Sequence, residues 1–116
     1  MSNVDERELL ITAYREFNAR NIDAVLAMLD PNVQWANGME GGYVYGRDAV
    51  REYWTRQWNI LDPHVEPLKI EAGETGRFMV QVHQVVRDLN GTLMLDAIVH
   101  HAYRIHQGLI ERMDIK

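Results

Sequence analysis

Of the five histidines in this 116-residue chain, His101 stands in the place most open to chemistry. Leu95, Ala97, Val99, Tyr103 and Ile105 share its parity along a β-rich stretch, and side chains alternate across a strand. An imidazole titrates near neutral pH. Turned inward among apolar residues, it can act as general acid or base, or sit as a core residue tied to a neighbour. His83 and His100 fall on the opposite face of their strands, where packing against a second copy or solvent is the expected role. His64 and His106 lie in loops.

Asn37 is the second candidate. A short strand over residues 33–37 with Val33 and Trp35 inward turns Asn37 inward as well. Its amide can orient a substrate carbonyl or hydroxyl, or cap loop backbone. Glu40 is the one carboxylate in the glycine-rich stretch 38–46; it can swing over a pocket as a base, or be solvated. Tyr14 can assist. Tyr14, Phe17, Trp35, Met39, Glu40, Tyr53, Trp54, Trp58, Val82, Val99, Tyr103 and Met113 are the candidate walls of a pocket around these groups, and core packing and pocket lining can coincide in them.

Other chemistries are excluded. The chain has no cysteine, which rules out a disulfide scaffold, thiolate catalysis and thiolate-held metal. No HxH or HxxxH pair occurs, and the adjacent His100 and His101 point to opposite faces, so no metal site is expected. Residues 38–46 lead into Arg47-Asp48 and not the GK[ST] of a phosphate loop. No cofactor is expected.

These residues need elements to hold them. Leu9, Leu10, Ala13, Tyr14 and Phe17 recur at helical spacing, which predicts a helix over 5–19. A shorter helix is predicted over 22–29, with Asn21 as N-cap. A third, over 47–59, carries Val50, Tyr53, Trp54, Gln57 and Trp58 as a stripe. Asp62-Pro63-His64 is read as a stop, and 65–72 as an edge strand because it contains Pro67. Residues 78–87 and 92–105 form a hairpin about Asn90-Gly91. A two-residue turn there pairs Val86 with Leu95, Gln84 with Ala97, Val82 with Val99 and Val80 with His101. For the final turn, a three-residue loop at 106–108 puts Leu109, Met113 and Ile115 on the inner face. A two-residue loop at Gln107-Gly108 puts Ile110, Arg112 and Asp114 there instead; the apolar count favours the first. Helices early and strands late give an α+β class.

Length suits one domain spanning 1–116. Net charge is −5, and no Lys/Arg cluster is available to displace counterions, so nucleic acid is not an expected partner. No run approaches a membrane span. The start, Met1-Ser2-Asn3-Val4-Asp5-Glu6, is acidic where a signal peptide is basic and then apolar; cytoplasm is the default location.

Three stretches resemble the NTF2-like superfamily, which includes ketosteroid isomerase and the SnoaL-type polyketide cyclases. They are Tyr14-Arg15-Glu16-Phe17-Asn18-Ala19-Arg20-Asn21-Ile22-Asp23-Ala24-Val25, then Gly46-Arg47-Asp48-Ala49-Val50-Arg51-Glu52-Tyr53-Trp54, then Tyr103-Arg104-Ile105-His106-Gln107-Gly108-Leu109-Ile110. The resemblance implies a cone: three N-terminal helices against a curved, mainly antiparallel sheet, with a pocket inside and a homodimer formed through the convex sheet face. That face would carry Met94, Asp96, Ile98 and His100. The family's carboxylate base aligns with Asn37, and an amide cannot abstract a proton. Its tyrosine donor aligns with Ala13, one residue from Tyr14. Its protonated aspartate aligns with His101 if the last hairpin is one residue shorter here than in the family, and with His100 if it is not.

Two readings stand side by side. One is a cofactor-independent acid–base enzyme (isomerase, cyclase, dehydratase or hydrolase) on a small apolar molecule, with His101 and Asn37 catalytic and Glu40 or Tyr14 assisting. The other is a non-catalytic ligand-binding or dimerisation domain whose catalytic set has decayed.

Overall fold

The structure, a computed structural model, describes residues 3–116. Its order is α1 (Asn3–Asn18), α2 (Ile22–Leu26), β1 (Leu29–Ala36), β2 (Tyr43–Tyr45), α3 (Arg47–Trp58), β3 (Leu61–Ala72), β4 (Arg77–Asp88), β5 (Leu93–His106) and β6 (Leu109–Ile115). The strands form one curved sheet in the order β2-β1-β6-β5-β4-β3. Only β1 and β6 run parallel; every other pair is antiparallel. This is the α+β, NTF2-like cone that the resemblance implies.

The apolar faces meet in one core. Leu10, Val25, Val50 and Trp54 from the helices are almost wholly buried against Leu29, Val33, Val80, Val82 and Ile110 of the sheet. At the edge, β3 leaves backbone groups unpaired, and α1 supplies the partners. The Asn18 side chain donates to the Val65 carbonyl at 2.7 Å and accepts from the Val65 N–H at 2.9 Å. Arg7 donates to the Ile70 carbonyl. These bonds fix how far α1 stands from the sheet, and hence the width of the cone.

Several local expectations are corrected. Asp62, Pro63 and His64 do not stop the chain; they belong to β3, paired with Arg87, Val86 and Val85. An edge strand tolerates prolines that a central one would not. The helix α2 ends at Leu26, and Asn21 makes no cap bond; its amide donates to Glu16 instead. Part of the glycine-rich stretch is ordered as β2, antiparallel to β1.

The β4–β5 hairpin turns through three residues, not two. Gly91 N–H donates to the Asp88 carbonyl and Asp88 N–H to that of Thr92, and Gly91 has φ 89°. The expected pairs nevertheless hold, Val86 with Leu95 through Phe78 with Tyr103, because a bulge places Met94 as an extra residue between Leu93 and Leu95. The bulge cancels the longer turn.

The last turn is the two-residue one. Gln107 and Gly108 both have positive φ, 52° and 79°, and His106 pairs with Leu109. Ile110 is therefore inward and fully buried. Glu111 is then an extra residue, and the register shifts so that Met113 faces Tyr103 and Ile115 faces His101. Arg112 and Asp114 turn to the outer face. Each expected register describes one half of the strand.

Candidate active site

The cone encloses a cavity of about 520 Å3, within the size range of small-molecule sites. Its floor is built by α1 and β5. Tyr14 lies on the inner face of α1, one helical turn from the buried Leu10. His101 and Tyr103 lie two residues apart on β5, so they share a face. The Tyr14 hydroxyl is 2.8 Å from His101 Nδ1. The Tyr103 hydroxyl donates to Tyr14 oxygen, also at 2.8 Å. The imidazole and the Tyr14 ring lie nearly parallel, 8° apart with centroids 6.0 Å apart.

With Tyr103 donating to Tyr14, one tautomer of His101 satisfies both bonds. Tyr103 uses its proton on Tyr14, so Tyr14 has its own proton left to donate to Nδ1. The remaining imidazole proton then sits on Nε2, which has no protein partner among the described residues. Burial lowers the His101 pKa to about 4, and neighbouring His100 adds to the effect. Burial also raises both phenols, Tyr14 and Tyr103. At neutral pH the site is therefore an uncharged chain of three donors ending in one N–H.

The walls are aromatic and uncharged. Trp35 meets Trp54 edge-on at 5.2 Å, and Phe17 meets Trp54 at 5.3 Å. Tyr53, from α3, accepts the Gly38 N–H at 3.1 Å; burial raises its pKa while the Gly38 and Met39 amides oppose the rise. Gln57 and Gln84 add two amides. Among the described residues, no Asp, Glu, Lys or Arg lines the cavity, and no group of three His, Asp or Glu side chains could hold a metal.

Of the residues singled out from sequence, His101, Tyr14, Phe17, Trp35, Met39, Tyr53, Trp54, Tyr103 and Met113 line this space. Five do not. Asn37 lies one residue past the end of β1 and is consumed by its own loop. Its Oδ1 accepts from the Met39 and Glu40 N–H groups at 3.0 and 2.9 Å, and its Nδ2 reaches Glu40 Oε1 at 3.3 Å. Glu40 is exposed and paired with Arg56 at 2.5 Å. Trp58 packs behind the wall, stacked on Trp54 with the Arg20 guanidinium 5.1 Å over its ring. Val82 is fully buried in the sheet, and Val99 packs against the core beside it.

Sequence reasoning missed the hydrogen-bonded link of Tyr14 to His101, 87 residues apart. It also missed Leu61 and Met94 as lining residues, while Leu95, read as sharing the face of His101, does line the cavity. Gln84 did carry a signal, as the other strongly polar member of the inner face.

The SnoaL-like domain model matches residues 11–113. The chain belongs to the SnoaL-like family. Its fold is similar to that of TerC, solved with polyporic acid, at 23% identity over 97% of this chain and 90% of TerC, with a TM-score of 0.85. It is similar to an NTF2-like protein of unknown function from Burkholderia pseudomallei, at 24% identity over 100% of this chain and 91% of that one, TM-score 0.84. It is also similar to SalBIII, an epoxide hydrolase/cyclase-like enzyme of pyran ring formation in the polyether salinomycin, at 20% identity over 98% and 91%, TM-score 0.85. A search of curated proteins returned no match. At these identities the likeness of this SnoaL-like chain to the three is one of fold.

Proposed function

We propose that this SnoaL-like protein binds a small, neutral, largely apolar molecule in its cone and presents His101 Nε2–H to one of its oxygens. The observation that carries this reading is the buried Tyr103–Tyr14–His101 chain at the floor of an uncharged cavity. An ionic ligand would be desolvated there without a counter-charge. The chemistry such a site supports is cofactor-independent: His101 polarises a carbonyl, hydroxyl or epoxide oxygen as charge develops on it. Isomerisation, cyclisation, dehydration and hydrolysis all pass through such a step, and a fold-relative that is epoxide hydrolase/cyclase-like keeps ring closure in that class.

A specific observation favours a second reading, binding without turnover. Among the described residues no carboxylate lines the cavity, and Asn37 is engaged with its loop. The convex sheet face supports a homodimer in either reading: Met79 and Ile98 are exposed there beside the His83–Asp96 pair.

The test uses Trp35 and Trp54, whose fluorescence reports occupancy of the cavity. Neutral polycyclic ketones should quench it saturably. Loss of a hydrogen bond of roughly 1.5 kcal/mol in His101→Leu should weaken ketone binding about tenfold, while the parent hydrocarbons bind both forms equally. Equal ketone affinity in the variant, or tighter binding of carboxylate analogues, would overturn the proposal. Mass spectrometry of the recovered ligand then separates enzyme from binder: a product formed by wild type and not by His101→Leu identifies turnover.

A further inference from the structure

The outer face of the sheet carries a second concavity, of about 220 Å3, lined by Arg77, Ala102, Tyr103, Arg104, Arg112, Asp114 and Lys116. Its make-up departs from the rest of this acidic chain. Arg77 on β4 is the register partner of Arg104 on β5, and Arg104 is the register partner of Arg112 on β6. Three arginines therefore lie in one row across three adjacent strands, with partners about 5 Å apart at the backbone. Like charges set directly opposite one another destabilise a sheet.

The row is only partly neutralised. Glu111, the extra residue of the β6 bulge, pairs with Arg104 at 2.5 Å. Asp114 pairs with Arg112 at 2.7 Å and also accepts the Tyr43 hydroxyl at 2.5 Å. The Arg112 guanidinium in addition lies 5.6 Å over the Tyr43 ring. Two of the three arginines are thus held in place by neighbours. The Arg77 side chain makes no ion pair or hydrogen bond among the described residues, and it lies exposed at the start of its strand. The result is an open concavity with two fixed guanidinium groups, one free one, and an unbalanced positive charge.

We infer that this row is a binding site for a phosphate-type oxyanion, either inorganic phosphate or the phosphoryl group of a small organic molecule. Guanidinium forks match the spacing and planarity of such oxygens and bind them bidentately. Arg77 supplies the free fork, Arg104 and Arg112 the flanking positive charge, and the anion relieves the repulsion along the row. The site is distinct from the cone, because Arg104 and Arg112 point to the opposite side of the sheet from the buried Ile105 and Met113. It borders the proposed dimer face, since Met79 is the register partner of Ala102, but Ile98 lies six residues from Arg104 on β5, about 20 Å along the strand.

Thermal unfolding of the full chain tests this, with inorganic phosphate, phenyl phosphate and sodium chloride compared at matched ionic strength. Phosphate should raise the midpoint saturably by several degrees where chloride does not. Arg77→Gln should lose at least tenfold in phosphate affinity, yet unfold at the same or a higher temperature without anion, because a repulsive contact is gone. Backbone amide NMR on wild-type protein should show phosphate-dependent shifts centred on residues 77, 104 and 112. Tighter binding of phenyl phosphate identifies an organic carrier, and equal binding identifies the inorganic ion; both uphold the site. A phosphate response no larger than that of chloride, an equal response in Arg77→Gln, or amide shifts scattered over the surface would overturn it.

Discussion

Acid titration singles out one imidazole. Unfolded, His101 takes up its proton near its ordinary value of 6.5; folded, near 4. Between these values the unfolded chain binds more protons, so stability contributed by neutral His101 is complete above pH 6.5 and is lost as pH falls toward 4. The amount is at most about 3 kcal/mol. Urea unfolding at pH 7, 5.5 and 4.5 should show wild type losing more than His101→Leu over that interval; parallel losses would mean that the imidazole is not buried and neutral. The inward direction of His101 was legible in the sequence, because parity along a long strand is a strong signal. Its partner was not: nothing local to Tyr14 says which strand residue will stand over it. Of the two roles read for Asn37, the structure shows the capping of loop backbone. Its amide found backbone N–H groups two and three residues on, and a short-range acceptor of that kind outcompetes a pocket.

At the scale of elements, the informative places are where register is set. The order of helices and strands could be read from periodicity, and the pairing of β4 with β5 expected from Asn90-Gly91 holds because the Met94 bulge offsets the longer turn. The bulges at Leu68, Met94 and Glu111 could not be read, because an extra residue in a strand leaves no mark except a shift in which side chains are apolar. In β6 that shift was visible, and it made two registers look like rivals when both were used in turn. Gly76 belongs at this scale too. It joins β3 to β4 with φ 76°, and its carbonyl accepts the Ile105 N–H at 2.7 Å. An added Cβ would overlap the Ile105 carbonyl oxygen. At Gly91, φ is 89° and nothing lies nearby. Gly91→Ala should therefore cost about 1 kcal/mol from backbone conformation alone, and Gly76→Ala should cost at least twice that. Equal denaturation midpoints for the two variants would contradict this account of the β3–β4 corner.

For the whole molecule, the open question is how the convex face is used. Its exposed apolar residues are few and sit among polar ones, so an interface there would be modest, and a single charge at its centre should be decisive. Ile98→Lys should convert a dimer to a monomer in light scattering at protein concentrations where wild type is dimeric, with the unfolding of each chain otherwise intact. A monomeric wild type, or a dimeric variant, would move the contact elsewhere. The expectation of a dimer came from family resemblance, and the mixture of polar and apolar residues on that face fits it.

The β4–β5 turn and the bulge that follows it in β5 also divide the cone into parts with separate freedom to change. The three-residue turn and the bulge at Met94 offset one another above Leu95, so the strand below, with His101 and Tyr103, keeps its place whatever happens at the tip. Residues can be gained or lost at the rim in compensating pairs without disturbing the hydrogen-bonded floor. A chain built this way is free to change which molecules it admits while its own three polar groups stay in position, and length variation between such chains should concentrate between residues 88 and 95.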